Sequence, residues 1–502
     1  MKFPDLTAKR AELAGDKIAL VDVATGRSLT YAGLDRLASR AAVALQENWG
    51  VQAGDRVAVL AHNRTDTIVL LFACAKLGAV LVPLNWRLTV VELGAITADA
   101  DPVGLVCDEQ NMVAALELCK DLGLRSMAFG ADPLGTELAF DAALAGVPVA
   151  SVGHAPRDED ELWYLLYTSG TTGLPKGVKQ TYGMALVNHL NIGLAVGLSA
   201  TDTFLSVLPQ FHTAGINLYT LPMLIAGGTT LITRGFEPGE ALGLLSTRAN
   251  LFFGVPTMYQ LLADHPEFAS TDLSGVRSWA CGGSAMPVPL LERLAPRGIH
   301  VRQGMGMTET GPTAFLLDEQ HAIDKAGSVG KPQPFVDARI VDRAGRDVAD
   351  GQSGELLLRG PGITPGYWRR PDATEAAFTD GWLHSGDVAR RDADGFYYIV
   401  DRWKDMYISG GENVYPAEVE RVMITLPGVA DVAVIGVPDE RWGEVGKAFV
   451  VPAAGADVDP ARLRALCRAE LAAFKVPKHV EAVESLPRNA SGKLLKHQLR
   501  ST

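Results

Sequence analysis

Cysteine is scarce in this sequence and shows no functional spacing. Its five cysteines, Cys74, Cys107, Cys119, Cys281 and Cys467, include no CxxC. An odd, scattered set argues against a disulfide framework and fits free thiols in a reducing cytosol, so a cytoplasmic protein is expected. Excess positive charge is missing as well. The net charge of −12 argues against a nucleic-acid partner, while leaving room for a local basic patch on a phosphorylated cofactor. No apolar run is long enough to span a bilayer: the longest, residues 68–83, is interrupted by Lys76 and Gly78, so no integral membrane contact is expected. Residues 1–15 mix acids and bases without an apolar stretch, so no secretory signal is expected. Three signatures are also absent. Without GxxxxGK[ST] there is no Walker loop, without GxGxxG no dinucleotide fingerprint, and without GxSxG no hydrolase elbow.

What is present is the profile of a soluble globular protein, 47% apolar and 21% charged. A chain of 502 residues is too long for one ordinary domain, so at least two are expected. Strand-like and helix-like segments alternate from the start: Arg56-Val-Ala-Val-Leu-Ala reads as a buried strand, residues 68–76 as a helix, and Ala79-Val-Leu-Val-Pro-Leu as a strand again. That order predicts an α/β fold with parallel sheets covered by helices on both faces. No solenoid-period repeat and no low-complexity segment interrupts it. Near Asp401 the pattern changes. A short strand in Gly395-Phe-Tyr-Tyr-Ile-Val is followed by a Gly-rich loop, a helix over 416–425, a strand in Val432-Ala-Val-Ile-Gly-Val and a helix over 459–473. Roughly a hundred residues of α+β pattern suffice for a separate small domain.

The strongest local signal is Tyr167-Thr-Ser-Gly-Thr-Thr-Gly-Leu-Pro-Lys-Gly-Val178, placed after the apolar run 162–166. Gly170, Gly173 and Gly177 permit close backbone approach. Thr168, Ser169, Thr171 and Thr172 offer hydroxyl and N–H donors, and Lys176 adds a point charge for phosphate.

This loop resembles the signature of the adenylate-forming superfamily, which comprises acyl- and aryl-CoA synthetases, adenylation domains of peptide synthetases, and beetle luciferases. Further motifs recur in the family's order over essentially the whole chain, and the chain is most similar to stand-alone fatty-acid or feruloyl (hydroxycinnamate) CoA ligases. The resemblance implies a large N-terminal adenylation domain, 1–401, of parallel-rich sheets sandwiched by helices. It also implies a hinge at 402–404 centred on Lys404, and a small mobile α+β domain, 405–502.

It implies site residues too. In Gln303-Gly-Met-Gly-Met-Thr-Glu-Thr310, which holds Gln303, Gly304, Met305, Gly306 and Met307, Thr308 meets the α-phosphate and Glu309 holds Mg²⁺. One carboxylate plus phosphate oxygens is the usual way proteins hold that ion. Met305 departs from the family, which usually has an aromatic there to stack on adenine; a thioether is adaptable enough to cover a ring face. In Gly381-Trp-Leu-His-Ser-Gly-Asp387 the final carboxylate accepts from both ribose hydroxyls, and Arg402 reaches the same sugar. Cys281-Gly-Gly-Ser-Ala-Met-Pro287 lines adenine and acyl pocket through Gly282, Gly283 and Ser284. Tyr182, His212, Val255 and Ala280 join Met305 around the acid. His212 stands where amino-acid-activating relatives pair an aspartate with the substrate ammonium, so the acid is expected to lack an α-amine. Lys493, in Pro487-Arg-Asn-Ala-Ser-Gly-Lys493, bridges carboxylate and triphosphate. Gly410 and Gly411 leave space for the pantetheine arm, and Trp442 and Phe474, beside Lys475 and Lys478, meet coenzyme A.

The implied activity is ATP- and Mg²⁺-dependent ligation of a carboxylic acid to coenzyme A through an acyl-adenylate. No enzyme nucleophile is needed, so catalysis falls on positioning and charge neutralisation. The acid is an aromatic, phenylpropenoid-like one or a medium-chain fatty acid; Phe253-Gly-Val-Pro-Thr-Met-Tyr-Gln260 resembles feruloyl-CoA ligases and tilts the reading to the former. Two alternatives stay open: a stand-alone adenylation enzyme that loads a carrier protein, and a non-catalytic nucleotide- or acyl-binding sensor. The sequence does not specify an oligomeric state.

Overall fold

A computed structural model describes residues 2–148, 156–168, 175–402, 405–409, 412–439, 442–471, 473–488 and 494–500. The backbone alone is described at 412, 413 and 497. Two large sheets dominate. In the first, the strands Val80–Pro83, Arg56–Leu60, Gly104–Cys107, Arg125–Ala128 and Leu138–Ala139 run parallel. The strand Leu162–Thr168 joins Val80–Pro83 in parallel and turns back antiparallel into Lys176–Thr181. In the second, Val301–Gly306, Ser278–Cys281, Leu251–Gly254, Thr203–Ser206, Thr229–Ile232 and Ile18–Asp22 are parallel neighbours, with antiparallel strands on both edges.

The short strands at Arg56 and Ala79 and the intervening helix form as the alternation predicts. The helix, Thr65–Leu77, is buried on every side between the sheets, as a helix with no polar face must be. Lys76, the charge that interrupts this run, is nearly inaccessible and ion-paired with Asp5 at 2.7 Å and Asp35 at 2.8 Å. One apolar core joins this helix and the helix Tyr31–Trp49 to both sheets through Leu20, Ile232, Val57 and Trp163.

A third, antiparallel sheet contains Asp337–Val341, Ser353–Arg359, Trp382–Arg391 and Tyr397–Arg402. Met305, Phe315, Ala389, Tyr397 and Ile399 share an apolar cluster, which ties this sheet to the edge of the second. The smaller C-terminal domain has its own sheet, with Val429–Asp439 against Gly443–Pro452, and its own core around Val434, Met423 and Leu463. Its helices, Pro416–Met423 and Pro460–Glu470, stop two and three residues short of the sequence-derived limits; Ala473–Lys475 is a separate 3₁₀ turn. The α/β class, with a large N-terminal domain of parallel-rich sheets and a smaller C-terminal one, is as expected.

Candidate active site

Parallel strands bring their C-terminal ends to one edge, where α/β proteins gather ligands. In the second sheet, Gly254, Cys281 and Gln303 lie in one row of neighbouring strands. The residues that leave that row are Val255, Gly282, Gly283 and Ser284, and Gly304 and Met305. Glycine is required at several of these points. A Cβ on Gly282 would sit 3.0 Å from the Phe253 ring, and one on Gly304 would sit 2.9 Å from the Phe315 carbonyl. One on Gly306, at a strand irregularity, would collide with the Pro312 carbonyl. Gln303 is buried and accepts from the Met286 N–H at 3.0 Å, which holds the glycine turn to the strand edge. Ser284 is exposed and Ala280 lies fully inside the apolar core, its carbonyl accepting from the Tyr259 hydroxyl.

Residues 209–212 follow the parallel strand Thr203–Ser206. His212 packs on Phe211, with ring centroids 4.5 Å apart, and its Nε2 is buried with no hydrogen-bond partner among the described residues. Burial, then the nearby Arg87 guanidinium, lower the imidazole pKa to about 4, so the ring is neutral near pH 7.

The phosphate-loop hairpin meets the Thr308–Thr310 turn. Thr168 and Lys176 face each other across the hairpin. Ser169, Gly170, Thr171, Thr172 and Gly173 lie outside the described residues. Lys176 Nζ stands 5.2 Å over the Tyr367 ring, and the Tyr367 hydroxyl donates to Glu309 Oε1 at 2.9 Å. Glu309 is buried, and the Thr364 N–H donates to its backbone carbonyl at 2.8 Å. Burial, then the Glu309 carboxylate, push the Tyr367 phenol well above its ordinary pKa, so it remains a donor. Lysine, phenol and carboxylate thus come from three distant segments. Sequence reading found the first and last and missed Tyr367, because nothing local in Gly366-Tyr-Trp368 separates it from a core aromatic. The only available signal was its place beside a positive-φ glycine, Gly366, which turns the chain here. The segment then runs along the hairpin: Trp368 N–H donates to the Gly177 carbonyl, and Lys179 N–H to that of Gly366.

Among the described residues no cluster of three or more His, Cys, Asp or Glu can hold a metal. Glu309 offers one carboxylate near Lys176 and the hairpin, which fits Mg²⁺ shared with phosphate oxygens rather than an all-protein cage.

Asp387 and Arg402 are directly opposite on neighbouring strands, and Arg402 Nε contacts Asp387 Oδ1 at 2.7 Å. The preceding residue, Asp401, faces the other way. Its Oδ2 accepts from the Ala417 N–H at 2.8 Å, at the start of the helix Pro416–Met423, and burial raises its pKa. Lys404, Gly410, Gly411 and Lys493 lie outside the described residues. Trp442 and Phe474 are substantially exposed and belong to no core cluster, while Lys475 and Lys478 pair with Glu418 and Asp439. Tyr182 lies in the inter-sheet core and is almost inaccessible. Its ring stacks on Trp163 at 4.8 Å and touches Phe3 inside the inter-sheet core. The helix that it opens, Tyr182–Val196, turns this first ring toward the core.

The family comparisons agree with this architecture. Residues 7–368 match the AMP-binding enzyme family and residues 418–493 its C-terminal domain. A feruloyl-CoA synthase of an Amycolatopsis species is 44% identical over 95% of this chain and 94% of its own. An indoleacetate–CoA ligase of Aromatoleum aromaticum is 38% identical over 94% and 93%. The ATP-bound crystal structure of MatB from Rhodopseudomonas palustris superposes with a TM-score of 0.91 at 33% identity, over 100% of this chain and 99% of the other. The chain belongs to the AMP-binding enzyme family, within the adenylate-forming superfamily, and is an AMP-forming acid–thiol ligase of the acyl-CoA synthetase kind.

Proposed function

We propose that this protein joins an aromatic, phenylpropenoid-type acid to coenzyme A in two half-reactions at one acyl site. The observation that carries the chemistry is the convergence of Lys176, Tyr367 and Glu309 beside the Thr308–Thr310 turn. A carboxylate cannot expel oxide, so the acid attacks the α-phosphorus of ATP, pyrophosphate leaves, and a mixed anhydride forms. The thiol of coenzyme A then attacks the acyl carbon and AMP departs.

Thr308 holds the α-phosphate and Lys176 the outer phosphates. Glu309 holds Mg²⁺, which supplies charge neutralisation when bound. Asp387 accepts from the ribose hydroxyls, with Arg402 beside it. Lys493 bridges carboxylate and triphosphate in the first step. Residues 1–401 form the adenylating body, and 405–502 turn about the hinge at 402–404, centred on Lys404. That turn withdraws Lys493 and brings Gly410 and Gly411 to the pantetheine path. Exposed Trp442 and Phe474 suit a surface that receives coenzyme A.

The acid assignment is supported by the apolar strand edge at Val255, Gly282 and Gly283, by the neutral His212, and by two relatives named for aromatic acids. A panel of cinnamic, arylacetic, fatty and amino acids, scored for CoA-dependent AMP formation, tests it. Cinnamic acids are expected to lead; preference for a fatty or α-amino acid overturns the substrate class.

A further inference from the structure

Four polar side chains that the reaction scheme does not use are buried together beneath the phosphate turn. Gln180, Asn217, Tyr164 and Asn188 are each at most 2% exposed. Gln180 Nε2 donates to the Thr308 carbonyl at 2.9 Å, and its Oε1 accepts from Asn217 Nδ2 at 3.1 Å. Asn217 Oδ1 in turn accepts from the Tyr164 hydroxyl, and Asn188 Nδ2 donates to the Asn217 carbonyl. Apolar side chains of similar shape would fill this space without desolvating four polar groups. A closed polar network instead specifies one arrangement of the elements it joins.

Those elements are the ones adenylation must align. Gln180 lies on the strand Lys176–Thr181, and alternate residues of a strand share a face. Lys176 and Gln180 therefore reach the same turn at two points, Lys176 through Tyr367 to Glu309 and Gln180 directly to Thr308. Asn217 belongs to the π-turn Ala214–Leu218, whose first coil is anchored by Gly215 N–H to the His212 carbonyl at 3.0 Å. Such π-turns are frequent where a functional side chain has been re-aimed. The amide pair connects the His212 segment, on the acid side, to the Thr308 turn, on the phosphate side.

We infer that Gln180 and Asn217 are positioning residues for adenylation: their amide bridge sets the acid-binding segment at His212 in register with the α-phosphate contact at Thr308. The inference rests on the proposed role of the Thr308 turn. In-line attack requires the carboxylate oxygen and phosphorus to be about 3–3.5 Å apart, and a 1 Å misplacement costs on the order of a hundredfold. The bridge acts on that distance without touching either reactant.

The test is single-turnover formation of acyl-adenylate by the full chain, read as two quantities: the amplitude, which counts folded enzyme, and the rate constant. Gln180→Met removes the amide at similar length. Asn217→Asp keeps the acceptor for Tyr164 but loses the donor to Gln180, so it tests the same bond should Gln180→Met fold poorly. Each is expected to lower the rate constant about 10- to 100-fold, with the KM for the acid within about threefold of the parent. The double variant is expected to be no slower than the worse single one, because the two residues act as one unit. A rate constant within twofold of the parent in either single variant, whatever its amplitude, overturns the inference. Thr308→Ala separates the two levels: a slow Thr308→Ala beside a normal Gln180→Met overturns the bridge alone, whereas normal rates in both overturn the role of the turn and the bridge with it.

Discussion

Replacing Tyr367 by Phe removes a single oxygen and leaves the ring under Lys176. The lost bond is a 2.9 Å donation to a buried carboxylate. Hydrogen bonds to charged groups contribute about 1.5–3 kcal/mol net. If that energy is expressed in the transition state, adenylation slows about 10- to 150-fold. The expected mechanism is orientational: Tyr367 holds one carboxylate oxygen of Glu309, and the other, which has no hydrogen-bond partner among the described residues, is left for the proposed cation. Without the phenol the carboxylate rotates, so half-saturation by Mg²⁺ should move to higher concentration and excess Mg²⁺ should recover part of the rate. Pyrophosphate exchange across a magnesium titration reads both quantities, with thermal unfolding alongside. An unchanged rate and magnesium midpoint, accompanied by a lower melting temperature, would show that the bond is structural and refute the argument.

Lys493→Ala should lower pyrophosphate exchange about a hundred- to a thousandfold while thioester formation from pre-made acyl-adenylate survives; exchange near the parental rate would remove Lys493 from the first step. Lys76→Met should cost about 3–5 kcal/mol, because buried Asp35 and partly buried Asp5 lose the cation they share; a loss below about 1 kcal/mol in urea unfolding contradicts this. His212 should take up no proton between pH 8 and pH 5, since its pKa is lowered to about 4. The unfolded ring titrates near 6.5, so its neutrality contributes stability that is fully present above about pH 6.5 and lost as pH falls toward 4. Labelled-histidine spectra of the parent and His212→Gln check it; a ring that titrates near 6.5 refutes the assigned environment.

Much of this was legible one segment at a time. The buried strand at Arg56, the helix through Lys76 and the strand at Ala79 carry their periodicity locally, and the folded elements differ by only a few residues. What was not legible depends on residues distant in sequence. Tyr367 gains its role only because its segment runs beside the hairpin, and Gln180 only because the second sheet presents Thr308 to it. The stack of Tyr182 on Trp163 is likewise a contact between distant segments that no local pattern announces. Lys76 looked like an interruption of a greasy run because its partners lie 71 and 41 positions away.

The strand Tyr397–Arg402 has a consequence for how this chain tolerates changes in length. Its last two side chains point to opposite faces, Arg402 back to Asp387 and Asp401 forward to the first turn of Pro416–Met423. Because strand side chains alternate with a period of two, one extra or missing residue would exchange the two faces. The arginine would then face the helix start and the carboxylate would face Asp387, bringing two acids together. The turn around Gly345, with open space beside its Cα, imposes no such parity, so insertions should accumulate there while the spacing from Tyr397 to Arg402 stays constant to the residue.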